Sequence, residues 1–268
     1  MRFAWHGSSS HSIEAGGVRL TVDPWFSPAG TYGPWYRPNP RAPGMEAFLR
    51  EFRPDYVILT HGHFDHFDVE TVRRIEAGCR PRYIASREAV AVLVETCGAA
   101  PQRCLPLAPG ERLALPEGWT VQAYQGDHWF TGPEGDAAAK KLARHYGAMP
   151  CGGPMLQLVL EGPEGRVYIS GDTTPDPIPA LPGCRLAVVY MGTRMPHPTT
   201  REVSTPLPTL DDAPLVLDRL RPEVLAPVHW DFHEWLEPFD LAALERLAAA
   251  RTPPVRVLLP PPNTWVPV

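Results

Sequence analysis

The chain has 268 residues, 44% of them hydrophobic and 21% charged, so it can bury a sizeable core without disulfides. Its formal net charge of −5 at pH 7 and its pI near 6.1 argue against non-specific nucleic-acid binding as its main role. The N-terminus has no apolar signal-peptide core, no run approaches the ~20 apolar residues of a membrane span, and the five cysteines show no Cys-x-x-Cys pairing. We therefore expect a cytoplasmic protein with reduced thiols, no integral membrane segment and no nucleic-acid partner.

The first part of the chain alternates short apolar runs with amphipathic stretches. Strands are predicted at residues 2–5, 11–14, 18–22, 56–59 and 82–85, and helices at 45–52, 68–75 and 87–97. Residues 26–44 are rich in Pro, Gly and aromatic residues, which predicts a long ordered loop. This loop is either a lid or pocket wall, or a Pro-braced surface loop whose aromatic side chains fold back on the domain.

The second part of the chain continues the same alternation. Strands are predicted at 119–124, 155–160, 166–170, 186–191, 224–228 and 255–259, and helices at about 136–145, 211–220 and 241–250. Strands with intervening helices fit two sheets sandwiched by helices. No linker or break in composition divides the sequence, so we predict a single domain at 1–268. The sequence is also compatible with a homo-oligomer.

A dense cluster of ligand-type side chains follows the predicted strand at 56–59, namely His61, His63, Asp65 and His66. Neutral imidazole and carboxylate are the usual protein ligands of zinc, iron and manganese. In a turn, His61 and His63 can point to one side while Asp65 and His66 reach a second point close by. This spacing favours two metal ions a few ångströms apart over a chance cluster on a solvated loop.

Three further ligand-type residues share this setting at or near the end of an apolar strand, namely His128, Asp172 and His229. Gly171 lets the backbone approach a site closely beside Asp172. The simpler interpretations are a surface histidine at 128 and a turn aspartate at 172. His145 competes with His128, but it lies in a predicted helix. His6 and His11 near the N-terminus are expected to be core or rim residues, and we do not assign them as ligands.

The motif His61-x-His63-x-Asp65-His66, after an apolar strand that ends in Thr60, resembles the signature of the metallo-β-lactamase fold superfamily. Further pieces recur in the family's order along nearly the whole chain, namely Gly7, Ile13-Glu14, Asp23-Pro24-Trp25, His128, the run from Ser170 to Thr173 and the run from Pro227 to Trp230. The resemblance implies an α/β fold, the four-layer αββα sandwich, with a metal site at one edge between the two sheets.

The resemblance also implies a role for each candidate ligand. The first metal ion takes His61, His63 and His128; the second takes Asp65, His66 and His229; Asp172 bridges the two ions. Among these, Asp65, Asp172 and His229 are also assigned catalytic roles. Asp23 resembles the family's buried aspartate, which orients a ligand imidazole or the turn amides by accepting their protons.

Two closely spaced divalent ions lower the pKa of a bridging water until hydroxide exists at neutral pH. The sequence therefore predicts a metal-dependent hydrolase that uses a metal-bridging hydroxide on a small-molecule phosphodiester, lactone or other ester. Zinc is the first choice of metal, and manganese or iron suits the same ligands. The candidate substrate-binding residues are Trp129, His197 and His233, of which the two histidines are also candidate proton donors to the leaving group.

Two branches of the superfamily are most similar in length and motif order. They are the ascorbate-phosphate lactonase-like proteins and the N-acyl-phosphatidylethanolamine phospholipase D-like phosphodiesterases. In the second branch a Trp follows the middle and the last His, as Trp129 and Trp230 do here, which favours a phosphodiester. Lys140, Lys141 and Arg144 either recognise an anionic group or form a solvated face.

Proteins of other classes also use this fold. The main alternative is a non-catalytic metal-binding or regulatory protein, and the complete ligand set argues against it. A di-iron protein that reduces oxygen or nitric oxide would carry a Glu in place of His63, together with a flavin domain that is absent here. A nucleic-acid-processing enzyme would need an extra nuclease domain and a basic groove.

Overall fold

The computed structural model describes residues 1–33, 36–129, 131, 151–197, 200–232 and 236–268. The strands in the first part of the chain are β1 (Arg2–Trp5), β2 (His11–Ala15), β3 (Val18–Val22), β4 (Tyr56–Ile58), β5 (Arg82–Ala85), β6 (Cys104–Pro106), β7 (Arg112–Ala114) and β8 (Thr120–Gln125). Those in the second part are β9 (Leu156–Gly162), β10 (Gly165–Ile169), β11 (Leu186–Tyr190), β12 (Met195–Pro196), β13 (Val203–Ser204), β14 (Val224–Val228), β15 (Arg256–Val257) and β16 (Val266–Pro267).

These strands form two seven-stranded sheets, and β12 pairs with β13 in a separate two-stranded sheet. The first sheet has the order β16–β1–β2–β3–β4–β5–β6, and the second has the order β15–β14–β11–β10–β9–β8–β7. Each large sheet has an antiparallel half and a parallel half. The parallel strands are β3 to β6 in the first sheet and β10, β11, β14 and β15 in the second. Parallel strands end at the same edge of a sheet, where ligands commonly bind. The segments that follow β10 and β14 therefore emerge at one edge of the second sheet. β4 likewise ends beside β3 and β5 at one edge of the first sheet.

Side-chain alternation along the strands separates an inner core from two outer cores. In β4, Tyr56 and Ile58 pack between the two sheets, whereas Val57 packs on the outer face of the first sheet. That outer face is covered by α1 (Met45–Glu51), α2 (Val69–Cys79) and α3 (Arg87–Glu95). The outer face of the second sheet is covered by α4 (Ala213–Leu220) and α5 (Leu241–Ala249). The predicted four-layer αββα sandwich is confirmed.

Most predicted strands and helices are present within a few residues of their expected bounds. The short strands β6, β7, β12, β13 and β16 were not predicted, because two or three residues are too few to show an alternating pattern. The strand expected at 255–259 is only the two residues of β15. The helix expected at about 136–145 lies outside the described residues. Within the described part of the chain, no helix has the length and apolar character needed to cross a membrane.

The described part of the aromatic loop at 26–44 folds back on the domain instead of standing away from it. Phe26 and Tyr36 are buried, and the indole N–H of Trp25 donates to the Tyr36 hydroxyl over 2.6 Å. The loop is attached to α2 through the carboxylate of Asp68, which caps that helix. This carboxylate accepts hydrogen bonds from Phe26, Ser27, Tyr32 and Thr71.

Candidate metal centre

Seven histidine and aspartate side chains meet at one edge between the two sheets. Possible ligand atoms lie within 4.8 Å of one another in three overlapping groups: His61, His63 and His128; His61, His66 and Asp172; and Asp65, His66 and His229. Four of these residues lie on the turn after β4, and the others follow β8, β10 and β14. The structure thus brings together all seven ligand candidates that the sequence predicts.

The turn that carries four of these residues is compact and closely packed. The backbone N–H groups of His66 and Phe67 both donate to the carbonyl of His63, over 3.0 and 2.7 Å. Between the first two histidines there is room only for glycine, because a Cβ on Gly62 would lie 2.3 Å from the carbonyl oxygen of Cys151. The hydroxyl of Ser9 donates to the Asp65 carbonyl over 2.6 Å and so attaches the turn to the segment after β1.

Two residues of the site adopt left-handed backbone conformations that non-glycine residues rarely adopt. Asp23 has φ +47° and His229 has φ +68°. Each is held by a backbone hydrogen bond, from Asp23 to the carbonyl of Ile58 over 3.0 Å and from His229 to the carbonyl of Ser8 over 2.9 Å. The surrounding backbone therefore directs both side chains into the site at some cost in local strain.

The buried carboxylate of Asp23 determines how two of the imidazoles are presented. Its Oδ2 accepts hydrogen bonds from His66 Nδ1 over 2.9 Å and from the Thr60 hydroxyl over 2.7 Å. Because the Thr60 hydroxyl proton is used in this way, Thr60 Oγ1 accepts from His61 Nδ1 over 3.1 Å. Both imidazoles consequently carry a proton on Nδ1 and direct Nε2 towards the cluster.

A third imidazole is oriented by the backbone. His128 Nδ1 lies 3.4 Å from the carbonyl oxygen of Pro206 and donates to it, since a carbonyl can only accept. Its Nε2 then faces Asp172 Oδ2 at 3.4 Å. His66 Nε2 faces the same oxygen at 3.2 Å, and His229 Nε2 faces Asp65 Oδ2 at 3.3 Å. Nitrogen and oxygen atoms of the candidate ligands therefore converge from both sheets.

This arrangement fits divalent metal ions. His61 Nε2 and Asp172 Oδ1 are buried and have no hydrogen-bond partner among the described residues. Leaving such atoms unpaired costs roughly 1–3 kcal/mol each, and a cation among them would remove that cost. The donor set of imidazole and carboxylate is the set that zinc, manganese and iron accept.

The two ends of the cluster differ in their protonation without metal. Burial, together with the neighbouring imidazoles, holds the pKa of His61 well below its usual value and lowers the pKa of His63 to about 3. Burial opposes protonation of His66 as well, but the carboxylates of Asp172, Asp65 and Asp23 outweigh it and hold the His66 pKa well above the usual value. In the metal-free chain a protonated His66 therefore supplies the positive charge that balances the neighbouring carboxylates.

The remaining candidates have different surroundings. The Trp129 ring stacks on His128 with ring centroids 6.4 Å apart, and the His197 ring lies 4.5 Å from Trp129. Both residues are partly exposed beside the first group of ligands. His233 and His145 lie outside the described residues. His6 and His11 are buried away from the ligand atoms, where His6 contacts Ser12 and Asn263 and His11 contacts the Ser9 carbonyl.

One residue of the site was missed by the sequence analysis. The hydroxyl of Tyr190 donates to Asp23 Oδ2 over 2.8 Å, and its ring lies beside His66 and His229. Tyr190 is the last residue of β11. It therefore has the same strand-end position as the ligand candidates, and that position was the available signal.

The fold and the ligand cluster define a protein of the metallo-β-lactamase type. Residues 18–230 match the family model described as the beta-lactamase superfamily domain, and the chain belongs to this family. The predicted superfamily is thereby confirmed, whereas its two branches remain undistinguished.

Two relatives are named UPF0173 metal-dependent hydrolases. The protein from Pyrobaculum aerophilum is 28% identical over 173 residues, which are 65% of this chain and 62% of that protein. The chain thus spans less than two thirds of the length of this relative. The protein from Salinibacter ruber is 29% identical over 246 residues, which are 91% of each chain.

A solved structure with the same fold is that of isothiocyanate hydrolase from Delia radicum gut bacteria. It superposes with a TM-score of 0.67 and 18% identity, and the alignment covers 100% of this chain and 99% of that one. At this level of identity the similarity shows the fold alone.

Proposed function

We propose that the chain is a metal-dependent hydrolase with a two-metal site. The observation that carries the proposal is the convergence of seven buried or nearly buried His and Asp side chains, with His61 Nε2 and Asp172 Oδ1 left unpaired inside the cluster. The names of the two metal-dependent hydrolase relatives support the same activity. A non-catalytic metal-binding protein is the alternative, and a complete ligand set is less expected for it.

In this proposal His61, His63 and His128 would hold one ion, Asp65, His66 and His229 would hold the other, and Asp172 would contribute to both. Zinc is the first choice, with manganese or iron as alternatives. Bound divalent ions would supply Lewis acidity and a source of hydroxide at neutral pH.

The chain's own residues provide orientation and proton control. Asp23 Oδ2 accepts a hydrogen bond from His66 Nδ1, so that Nε2 is the nitrogen available to a metal ion. Burial alone would raise the pKa of Asp65, but the nearby imidazoles of His66 and His229 outweigh it and hold that pKa well below its usual value. Asp65 therefore stays ionised and offers a proton acceptor at Oδ2. This supports the catalytic role proposed for Asp65, whereas the roles proposed for Asp172 and His229 rest on their position in the same cluster.

The proposed substrate is a small phosphodiester, lactone or other ester. The partly exposed rings of Trp129 and His197 lie beside His128 and offer a surface for an organic group, and His197 is a candidate proton donor to the leaving group. His233 keeps the same proposed role, although it lies outside the described residues, as do Lys140, Lys141 and Arg144. The shared fold with an isothiocyanate hydrolase adds an isothiocyanate to the substrates worth assaying.

The test is elemental analysis of the purified protein, paired with hydrolysis of bis-p-nitrophenyl phosphate, a simple lactone and an isothiocyanate. We expect about two equivalents of metal in the wild type, with both metal and activity reduced in His61→Ala. His197→Ala is the matched control, since it should keep its metal and lose only turnover. One equivalent or none, with no turnover of any substrate, would reject the two-metal hydrolase and favour a binding protein.

Three broader predictions accompany this proposal. Residues 1–268 are proposed to form one domain, which is supported by the pairing of β16 with β1 across the length of the chain. A cytoplasmic location and a homo-oligomeric state remain predictions, to be checked by fractionation and by light scattering.

A further inference from the structure

Tyr190 connects the two sheets at the base of the metal centre. It ends β11 in the second sheet and is fully buried at 0% exposure. Its hydroxyl donates to Oδ2 of Asp23, which follows β3 in the first sheet, over 2.8 Å. The other two donors to this oxygen, the Thr60 hydroxyl and His66 Nδ1, both belong to the turn after β4 in the first sheet. Tyr190 is thus the donor that the opposite sheet supplies.

The ring of Tyr190 contacts two imidazoles of the same proposed ion. It is nearly parallel to His66, with centroids 5.8 Å apart and planes inclined by 19°. It is also nearly parallel to His229, at 6.1 Å and 30°. His66 and His229 together with Asp65 form the group of possible ligand atoms that is proposed to hold the second ion. Tyr190 therefore supports this group both by packing and through the carboxylate that orients His66.

We propose that Tyr190 is a positioning residue that sets the affinity of the second metal position, formed by Asp65, His66 and His229. This inference rests on the proposed two-metal site. Without the hydroxyl, Asp23 Oδ2 would be held only from the first sheet, and Asp23 already has a strained backbone with φ +47°. The His66 imidazole would then be less firmly oriented towards an ion. The first ion should be affected less, because its link to Asp23 passes through Thr60 and His61.

A purely structural role for Tyr190 can be separated from this one with a matched substitution. Tyr168 lies on the neighbouring strand β10, is also 0% exposed, and donates its hydroxyl to the side chain of Gln157, away from the ligand cluster. Tyr190→Phe and Tyr168→Phe each remove one buried hydroxyl and keep the ring. Both should therefore lower the melting temperature of the metal-free protein, and Tyr190→Phe should lower it somewhat more because its hydroxyl donates to a carboxylate.

The experiment measures zinc binding to the wild type and to both variants by competition with a chromophoric chelator. We expect Tyr190→Phe to bind the second equivalent about 10–100-fold more weakly, the usual effect of removing a partner of a metal ligand. The affinity of Tyr190→Phe for the first zinc equivalent should remain within a few-fold of the wild-type value. The affinities of Tyr168→Phe for both equivalents should do the same. Cobalt absorption spectra give a second readout, in which only Tyr190→Phe should change the bands of the second ion.

Equal affinities in Tyr190→Phe and Tyr168→Phe, with two ions in the wild type, would overturn this inference and leave the proposed hydrolase intact. Equal weakening of both ions in both variants would also overturn it, since that result describes a general loss of stability. A wild type that binds fewer than two ions would overturn the two-metal hydrolase and this inference together.

Discussion

Asp23 and His66 form a fully buried pair in which Asp23 Oδ2 accepts a hydrogen bond from His66 Nδ1 over 2.9 Å. The pair decides which nitrogen of His66 faces the ligand cluster. It joins the end of β3 to the turn after β4, so the geometry of the proposed metal site depends on two neighbouring strands. The same carboxylate also accepts the backbone N–H of Thr60 at Oδ1 over 2.8 Å.

We predict that Asp23→Asn weakens binding of the second ion about 10–100-fold. An amide has one acceptor oxygen, so its NH2 group would face a donor, either Thr60 N–H or His66 Nδ1–H. Chelator competition measures the affinity. Asp55→Asn is the control, because Asp55 Oδ2 accepts the Arg19 N–H in an exposed region. Equal zinc affinities in the two variants would contradict the role given to Asp23.

We predict that position 62, in the turn after β4, does not tolerate a residue larger than glycine. A Cβ there would lie 2.3 Å from the Cys151 carbonyl oxygen and 2.5 Å from its sulfur. Because a backbone atom cannot move aside easily, Gly62→Ala should displace His61 and His63, lower the metal content and reduce the melting temperature. In Gly44→Ala the new methyl group meets nothing within 4 Å, so this variant should stay close to the wild type. Full metal occupancy in Gly62→Ala, measured by elemental analysis, would refute the prediction.

The sequence indicated that the ligand candidates would lie close together because each follows an apolar strand, which is a strong local signal, and the structure shows this proximity. The same signal supported the four-layer fold, which the structure confirms. By contrast, the hydrogen bond between Asp23 and Tyr190 joins residues 167 positions apart. It depends on how the two sheets pack, and no local pattern encodes that. The many donors to Asp68 were missed for the same reason, since only its capping position is visible in the sequence.

Asp68 should be far more important for stability than an ordinary helix cap. It accepts hydrogen bonds from the aromatic loop and from α2, and the loop has few other polar attachments to that helix among the described residues. We predict that Asp68→Asn lowers the free energy of unfolding by about 3 kcal/mol, because hydrogen bonds to a buried carboxylate contribute strongly.

The matched control is Asp240→Asn at the start of α5. Asp240 is exposed and caps its helix through one hydrogen bond to Ala243 N–H over 2.9 Å, so the loss should be about 1 kcal/mol or less. Urea unfolding of metal-free protein measures both values. Similar losses in the two variants would show that Asp68 does no more than cap α2.

His6 should make the metal-free protein sensitive to acid. Burial lowers the pKa of His6 from 6.5 to about 3, and its ring is bonded to Asn263 Oδ1 and Ser12 Oγ over 2.9 and 2.8 Å. Below pH 6.5 the unfolded chain binds a proton at His6 that the folded chain does not. The stability from neutral His6 is therefore fully present above pH 6.5 and is lost as the pH falls towards 3.

We predict that His6→Gln, which cannot titrate, flattens the dependence of unfolding free energy on pH between pH 6 and 4. The slope should fall by about 1.4 kcal/mol per pH unit, the value for one proton. Glutamine keeps a donor and an acceptor for Asn263 and Ser12, so the variant should still fold at pH 7. Urea unfolding at several pH values, with chelator present to exclude metal-linked protons, gives both slopes. If the plots of unfolding free energy against pH were parallel for wild type and variant, His6 would bind its proton equally well in the folded and unfolded chain. That result would contradict the prediction, which rests on the burial of His6 against the apolar rings of Phe48 and Phe52.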